Sequence, residues 1–148
     1  MKQANNVAAL QEYQQVGTQG SVNYASPYKL VQMLMGGVLD RIASAKGHMK
    51  RKEIAEKATS ISKAIGMIEG LRVSLDMDLG GKVAQNLDGL YEYMIRRLVE
   101  SNTNNNVLIL DEVMGLLAEI KQGWDDIPDE VIISAEKHRR ALSKPVVG

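Results

Sequence analysis

The sequence predicts an all-α protein, an antiparallel up-down four-helix bundle with a mobile N-terminal arm and a C-terminal tail. Apolar residues recur every three or four positions through four segments of about 20 residues, the period of a helix that buries one face. Short polar stretches separate these segments, and short connections favour antiparallel neighbours. No segment shows the period-two alternation of a half-buried strand. The 148 residues, of which 45% are hydrophobic, suffice for one domain with one core.

The first two helices are predicted from caps and apolar spacing. Ser26 is a favoured N-cap residue, and Pro27 suits the first helical position, where its missing N–H is not required. This helix is expected over residues 27–46, and the basic stretch 46–52 is expected to form the following turn. The second helix is expected over residues 52–74. Its apolar face consists of Ile54, Ala58, Ile61, Ile65, Ile68 and Leu71.

The third and fourth helices are predicted in the same way. The third is expected over residues 82–101, after a turn that ends in Gly80 and Gly81. The fourth is expected over residues 107–124, and the asparagines before it offer an N-cap. The third helix is expected to bury an apolar face that consists of Val83, Leu87, Leu90, Tyr91, Met94 and Leu98.

These helix boundaries divide the chain into three parts. Residues 1–25, rich in Gln, Asn, Gly and Ala, form an N-terminal arm with a short helical motif. The apolar residues of this motif, spaced by three, are Leu10, Tyr13 and Val16. Residues 26–127 form the bundle. Residues 128–148, which begin at Pro128, form a tail to which the sequence assigns no role.

Composition excludes several classes of function. The chain has no cysteine, which removes disulfides, thiol nucleophiles and thiolate metal sites. Its formal net charge of +0 lacks the positive field that drives binding to a phosphate backbone, so we expect no nucleic-acid partner. No apolar run is long enough for membrane insertion, and the first residues lack a secretory signal. We therefore expect a cytoplasmic protein.

No set of residues indicates catalysis or a cofactor. The segment 76–87 begins like a calcium loop, but Gly80 and Leu87 occupy positions that require oxygen ligands. His48 and His138 lie in different segments without partners at ligand spacing. We expect neither an enzyme nor a metal site. Eight Met residues offer adaptable apolar surface, and a helical module of this kind binds other proteins in a groove.

Three blocks of sequence support a more specific interpretation. The first, residues 25–34, begins with Ala-Ser-Pro and continues with apolar residues at helical spacing. The second, residues 74–98, reads SLDMDLGGKVAQNL and, two residues later, LYEYMIRRL. The third, residues 109–124, begins with ILDEV and ends with Trp. In this order the blocks resemble the flagellar export chaperone FliS family, over roughly residues 8–127.

The resemblance implies a function. Members of that family bind the disordered C-terminal segment of flagellin in the cytoplasm, prevent its premature polymerisation into filaments, and present it to the flagellar type III export gate, whose receptor is FlhA. The flagellin segment wraps around the bundle and displaces the N-terminal arm. The corresponding physical process is coupled folding and binding of a disordered segment.

Two groups of residues are candidates under this interpretation. The resemblance implies that an N-terminal motif caps the groove and takes part in docking to the export gate; here the motif is Leu10, Tyr13 and Val16. For the flagellin-binding groove we select apolar residues of the second and third helices, namely Ile61, Ile65, Ile68, Leu71, Leu87, Tyr91 and Met94. The same positions are also what a bundle core requires.

Other functions remain compatible with the residues alone. A helical interaction or regulatory module could act on another flagellar partner or by self-association, as a homodimer. A nucleic-acid regulator ranks below it, because the basic stretch 46–52 has no interleaved aromatic residues. An enzyme ranks last.

Overall fold

The computed structural model describes residues 26–143, and its described residues form helices and turns. This confirms the prediction of an all-α protein. The five helices are α1 (Pro27–Lys50), α2 (Ile54–Val73), α3 (Met77–Asn104), α4 (Val107–Asp125) and α5 (Asp129–Ser143). None of the helices in this part of the chain is long and apolar enough to cross a membrane.

Helix α1 begins as predicted and ends later. Ser26 Oγ accepts a hydrogen bond from the backbone N of Lys29 at 3.1 Å, so Ser26 is the N-cap. The helix continues to Lys50, whereas the basic stretch after Lys46 was expected to be a turn. Basic residues in a last turn interact favourably with the negative end of the helix dipole, which explains why this stretch extends α1. The chain turns at Lys52, which has φ 61°.

Helix α3 contains a break that accounts for its predicted start. Gly81 has φ 52° and ψ −127°, so the helix is continuous only from Lys82, where the prediction placed its beginning. The residues before the break, Met77–Gly80, form one additional turn. Helix α4 ends at Asp125, one residue beyond the predicted boundary.

The first four helices pack as a ring in which α1 contacts α2 and α4, and α3 contacts the same two helices. Helices α1 and α4 are antiparallel, because Tyr28 stacks on Trp124 at one end and Lys46 Nζ lies 2.5 Å from Asp111 Oδ1 at the other. Of the four contacting pairs, α1 with α2 is the most extensive and α3 with α4 the least.

The core lies along the axis of this ring. Each of the four helices contributes fully buried apolar side chains, which removes them from water and supplies the main stabilising free energy of the bundle. The largest of these side chains are Leu34, Met35, Ile42, Ile61, Ile68, Leu71, Tyr91, Met94, Leu98, Leu110 and Leu117. Burial raises the pKa of the Tyr91 hydroxyl to about 12.

Helix α5 occupies most of the segment that was predicted to be a tail. Within the described residues it does not pack extensively along any of the other four helices, and its Val131 and Ile133 are each 54% exposed. The predicted arm, with Leu10, Tyr13 and Val16, lies outside the described residues.

Candidate functional site

Five of the seven selected groove residues lie in the core. Ile61 and Tyr91 are 2% exposed, and Ile68, Leu71 and Met94 are 0% exposed. A partner cannot contact these side chains unless the bundle rearranges. Their spacing of three and four residues is shared by core and groove positions, which is why the sequence alone did not separate the two.

The other two selected residues, Ile65 and Leu87, are half-buried and pack against the core. Two contacts set the register of α2 and α3: Arg72 Nε donates to Asp88 Oδ1 at 2.7 Å, and Lys57 Nζ donates to Asn102 O at 3.0 Å. This register places Ile65 about 12 Å along the axis from Leu87, by the rise per residue of a helix. The two side chains therefore do not form one patch, and their role in binding stays a prediction.

A stripe along α3 faces α4. Arg97 Nε donates to Glu112 Oε1 at 2.8 Å, which places Arg97 on the side of α3 nearest α4. Leu90 and Val83 lie seven and 14 residues before Arg97, so they share its side of the helix. Both were expected to be buried, but Leu90 is 38% and Val83 is 67% exposed. Helix α4 therefore leaves both side chains partly uncovered.

A matching stripe runs along α4. Leu116 and Ile120 lie four and eight residues after Glu112, so they share the side of α4 that faces α3. Both are half-buried and pack against the core. We call the surface formed by these two stripes the α3–α4 groove. Leu87 lies four residues after Val83 and three before Leu90, so it adjoins the α3 stripe. The residues of the groove are Val83, Leu87, Leu90, Leu116 and Ile120.

One end of the groove is closed by a polar cluster. Glu112 accepts hydrogen bonds from Arg97 and from the Tyr93 hydroxyl, the latter at 3.0 Å. Arg97 also pairs with Glu100 at 2.7 Å. The bonds from Arg97 and Tyr93 lower the pKa of Glu112, and the bond to Glu112 raises the pKa of Tyr93. This cluster joins α3 to α4 at what we call the closed end.

At the opposite end the groove is open. The chain enters α1 here at Ser26, next to the contact between Tyr28 and Trp124. The two rings stack with centroids 5.4 Å apart. Each residue also donates to the other's backbone carbonyl: Tyr28 Oη to Trp124 O at 2.9 Å, and Trp124 Nε1 to Tyr28 O at 3.1 Å. The arm, residues 1–25, therefore joins the bundle at the open end.

Of the seven residues selected from the sequence, only Leu87 lies in the α3–α4 groove, and the other four residues of this candidate groove were not selected. Helical periodicity placed Val83 and Leu90 on the buried face, because they lie close to Tyr91 and Met94 on the helix surface. The sequence did contain one signal. Arg97 follows Leu90 by seven residues, the same interval that separates Leu90 from Val83. A charged residue at such a position indicates the edge of a buried face.

The chemistry of the groove suits apolar contact and hydrogen bonding. Its walls are aliphatic side chains, and its closed end carries carboxylate, guanidinium and phenol groups. Within residues 26–143, no three His, Asp or Glu side chains are grouped so that they could hold a metal ion.

Comparison with known proteins identifies the family. The family model described as "Flagellar protein FliS" matches residues 9–131. The chain is 55% identical over 119 residues to flagellar secretion chaperone FliSB of Pseudomonas aeruginosa, a match that covers 80% of this chain and 94% of that protein. It is 39% identical over 122 residues to flagellar secretion chaperone FliS of Vibrio cholerae, covering 82% of this chain and 90% of that one. The resemblance seen in the sequence is confirmed, and the chain belongs to the FliS family.

Proposed function

We propose that this protein is a cytoplasmic flagellar secretion chaperone whose client is the C-terminal segment of flagellin. It binds that segment in the α3–α4 groove, prevents premature polymerisation and delivers flagellin to the export gate protein FlhA. The observation that carries the proposal is an apolar surface left open beside the core, at Val83 and Leu90. It is supported by the similarity of the chain to proteins named flagellar secretion chaperones.

The groove suits a segment that folds on binding. A disordered segment loses conformational entropy when it becomes ordered, and apolar burial must exceed that cost. Val83, Leu87 and Leu90 on one wall and Leu116 and Ile120 on the other offer such burial, at roughly 25 cal/mol per Å² of apolar surface. A helix or an extended segment can lie between two helices in this way.

The arm is proposed to cover the groove before the client binds. Val16 and Ser26 are ten residues apart, which allows a reach of about 30 Å for an extended chain. The groove from Val83 to Arg97 is about 21 Å long by the helical rise. Leu10, Tyr13 and Val16 can therefore reach its whole length from the open end. When the client displaces them, the same residues are free for export-gate docking.

Calorimetry tests the proposal directly. The purified full-length chain is titrated with a peptide of about 40 residues from the C-terminus of the host's flagellin, a length adequate for a segment that orders over an extended surface. We expect binding near one to one with a negative heat-capacity change, the mark of apolar burial. A scrambled peptide of the same composition is the control. A folded chain that binds neither peptide would exclude flagellin's C-terminal segment as the client.

A further inference from the structure

Asn86 is a polar residue within the apolar α3 wall of the α3–α4 groove. It lies three residues after Val83 and four before Leu90, on the same side of the helix. Its side chain is exposed and makes no hydrogen bond within residues 26–143. An amide that holds two helices together has a partner on the neighbouring helix. The bundle itself therefore does not use the donors and the acceptor of Asn86.

Gly123 lies on α4, across the groove from Asn86. Asn86 is 11 residues before Arg97, and Gly123 is 11 residues after Glu112; this interval is three full helical turns. Helices α3 and α4 are antiparallel, because only two residues connect them. Arg97 bonds to Glu112. Asn86 and Gly123 therefore face each other, both about 16 Å along the groove from the bonded pair.

The fold does not require a glycine at position 123. A Cβ on Gly123 would meet nothing within 4 Å, so α3 does not approach it. Its backbone is helical, and Gly favours a helix less than Ala does. Gly123 thus leaves open space opposite the Asn86 amide. A glycine in such a place allows another main chain to approach closely.

We propose that the main chain of the flagellin segment crosses the groove between Gly123 and Asn86, and that the Asn86 amide hydrogen-bonds to it. This amide has both donors and an acceptor, so it matches the N–H and C=O groups of a peptide backbone. Those groups are free where the client is not in the middle of a helix. The inference rests on the proposed function and names two further residues that contact the client.

Gly123→Ala is the first test, because its effects on stability and on binding differ in sign. Ala favours the helix, so the variant without client should melt no lower than the unchanged protein. The added methyl group occupies the path of the client's main chain, so the flagellin peptide should dissociate about fivefold faster. Gly115→Ala is the matched control. A Cβ there would also meet nothing within 4 Å, Gly115 is turned about 100° from Leu116, and the dissociation rate should stay unchanged.

Asn86→Ala tests the hydrogen bond. We expect the peptide to dissociate about fivefold faster, within the range for one lost bond. Gln85→Ala, which removes an exposed amide turned away by about 100°, is the control. A series of peptides, each with one backbone amide replaced by an ester, then locates the partner. One ester should speed dissociation from the unchanged protein but not from Asn86→Ala, because the two changes remove the same bond.

The outcomes separate this inference from the proposed function. If the unchanged protein binds the peptide and both variants release it at the original rate, the inference is wrong and the groove stands. If Gly123→Ala lowers the melting temperature of the free protein, the glycine serves the chaperone's own packing, which also overturns the inference. If the unchanged protein binds no peptide, both proposals fail together. The expected result is faster release from Gly123→Ala and Asn86→Ala alone, without a loss of thermal stability.

Discussion

Arg97 and Glu112 join the end of α3 to the start of α4, with 2.8 Å between Nε and Oε1. The same carboxylate accepts a hydrogen bond from Tyr93. These bonds hold the two helices together at the closed end of the groove, while Val83 and Leu90, further along the same stripe, stay exposed. The pair therefore determines where the groove ends.

Because of the Arg97–Glu112 pair, the folding stability of the protein is expected to depend on pH. The bonds from Arg97 and Tyr93 lower the pKa of Glu112 below its ordinary value of 4.5. A lowered folded-state pKa contributes stability above the ordinary pKa, and that contribution is lost as the pH falls through the lowered value. We expect Glu112→Gln to melt below the unchanged protein at pH 7, with the difference disappearing in stronger acid. Glu119→Gln, an exposed position on α4, is the control. A difference that is independent of pH would contradict this account.

Removal of the hydrogen bond that Trp124 donates to Tyr28 is expected to lower the stability of the protein. Trp124→Phe keeps a ring for stacking but loses the bond from Nε1 to Tyr28 O. We expect the free energy of unfolding to fall by about 0.5–1.5 kcal/mol, the usual net contribution of such a bond. Urea unfolding followed by circular dichroism measures it, because the variant lacks the only Trp. An unchanged unfolding midpoint would show that the bond contributes nothing.

Loss of the buried hydrogen bonds of Lys57 is expected to lower the free energy of unfolding by more than the Trp124 change does. Lys57 is 4% exposed, and its Nζ donates to Asn102 O at 3.0 Å and to Asn105 Oδ1. These bonds lie at the C-terminus of α3, where Asn105 adopts a left-handed conformation with φ 51°. We expect Lys57→Met to lower the free energy of unfolding by about 1–3 kcal/mol, because a helix-end carbonyl loses its charged donor. Lys63→Met, on the exposed side of α2, should change it far less. Equal effects of the two variants would contradict the assignment.

Removal of α5 is expected to leave the bundle intact. The family match ends at residue 131, and α5 does not pack extensively along the other described helices. A chain that ends at Pro128 should unfold with a free energy within about 0.5 kcal/mol of the full-length value, the range for changes away from buried contacts. Its affinity for the flagellin peptide should also be unchanged. Aggregation or early melting of this shortened chain would mean that α5 covers part of the bundle.

The sequence predicts most of the fold because helical periodicity is strong in each segment. The start of α4 at Val107 and the cap at Ser26 follow from local chemistry that does not depend on distant residues. The end of α1 is different. The basic residues up to Lys50 are polar enough for a turn, and they are also favourable at a helix C-terminus, so composition alone does not decide.

The groove is harder to predict, because it depends on whether a neighbouring helix covers a given side chain. Leu90 and Met94 lie on adjoining parts of one helical face, yet Leu90 is 38% exposed and Met94 is 0% exposed. Periodicity gives the direction of a side chain but not whether a neighbouring helix covers it. The break in α3 depends likewise on the φ of Gly81, which the Gly-Gly pair permits but does not specify.

The most direct test of the account compares two pairs of exposed apolar residues. Val83→Ser with Leu90→Ser removes the groove wall. Ile54→Ser with Leu108→Ser removes side chains that are 70% and 72% exposed at the far end of the bundle. Calorimetric titration with the flagellin peptide should show affinity at least about tenfold weaker for the first pair, which loses roughly 1.4 kcal/mol or more of apolar contact, and no change for the second. Equal affinity of both variants, with both folded, would mean that the α3–α4 groove is not where the client binds.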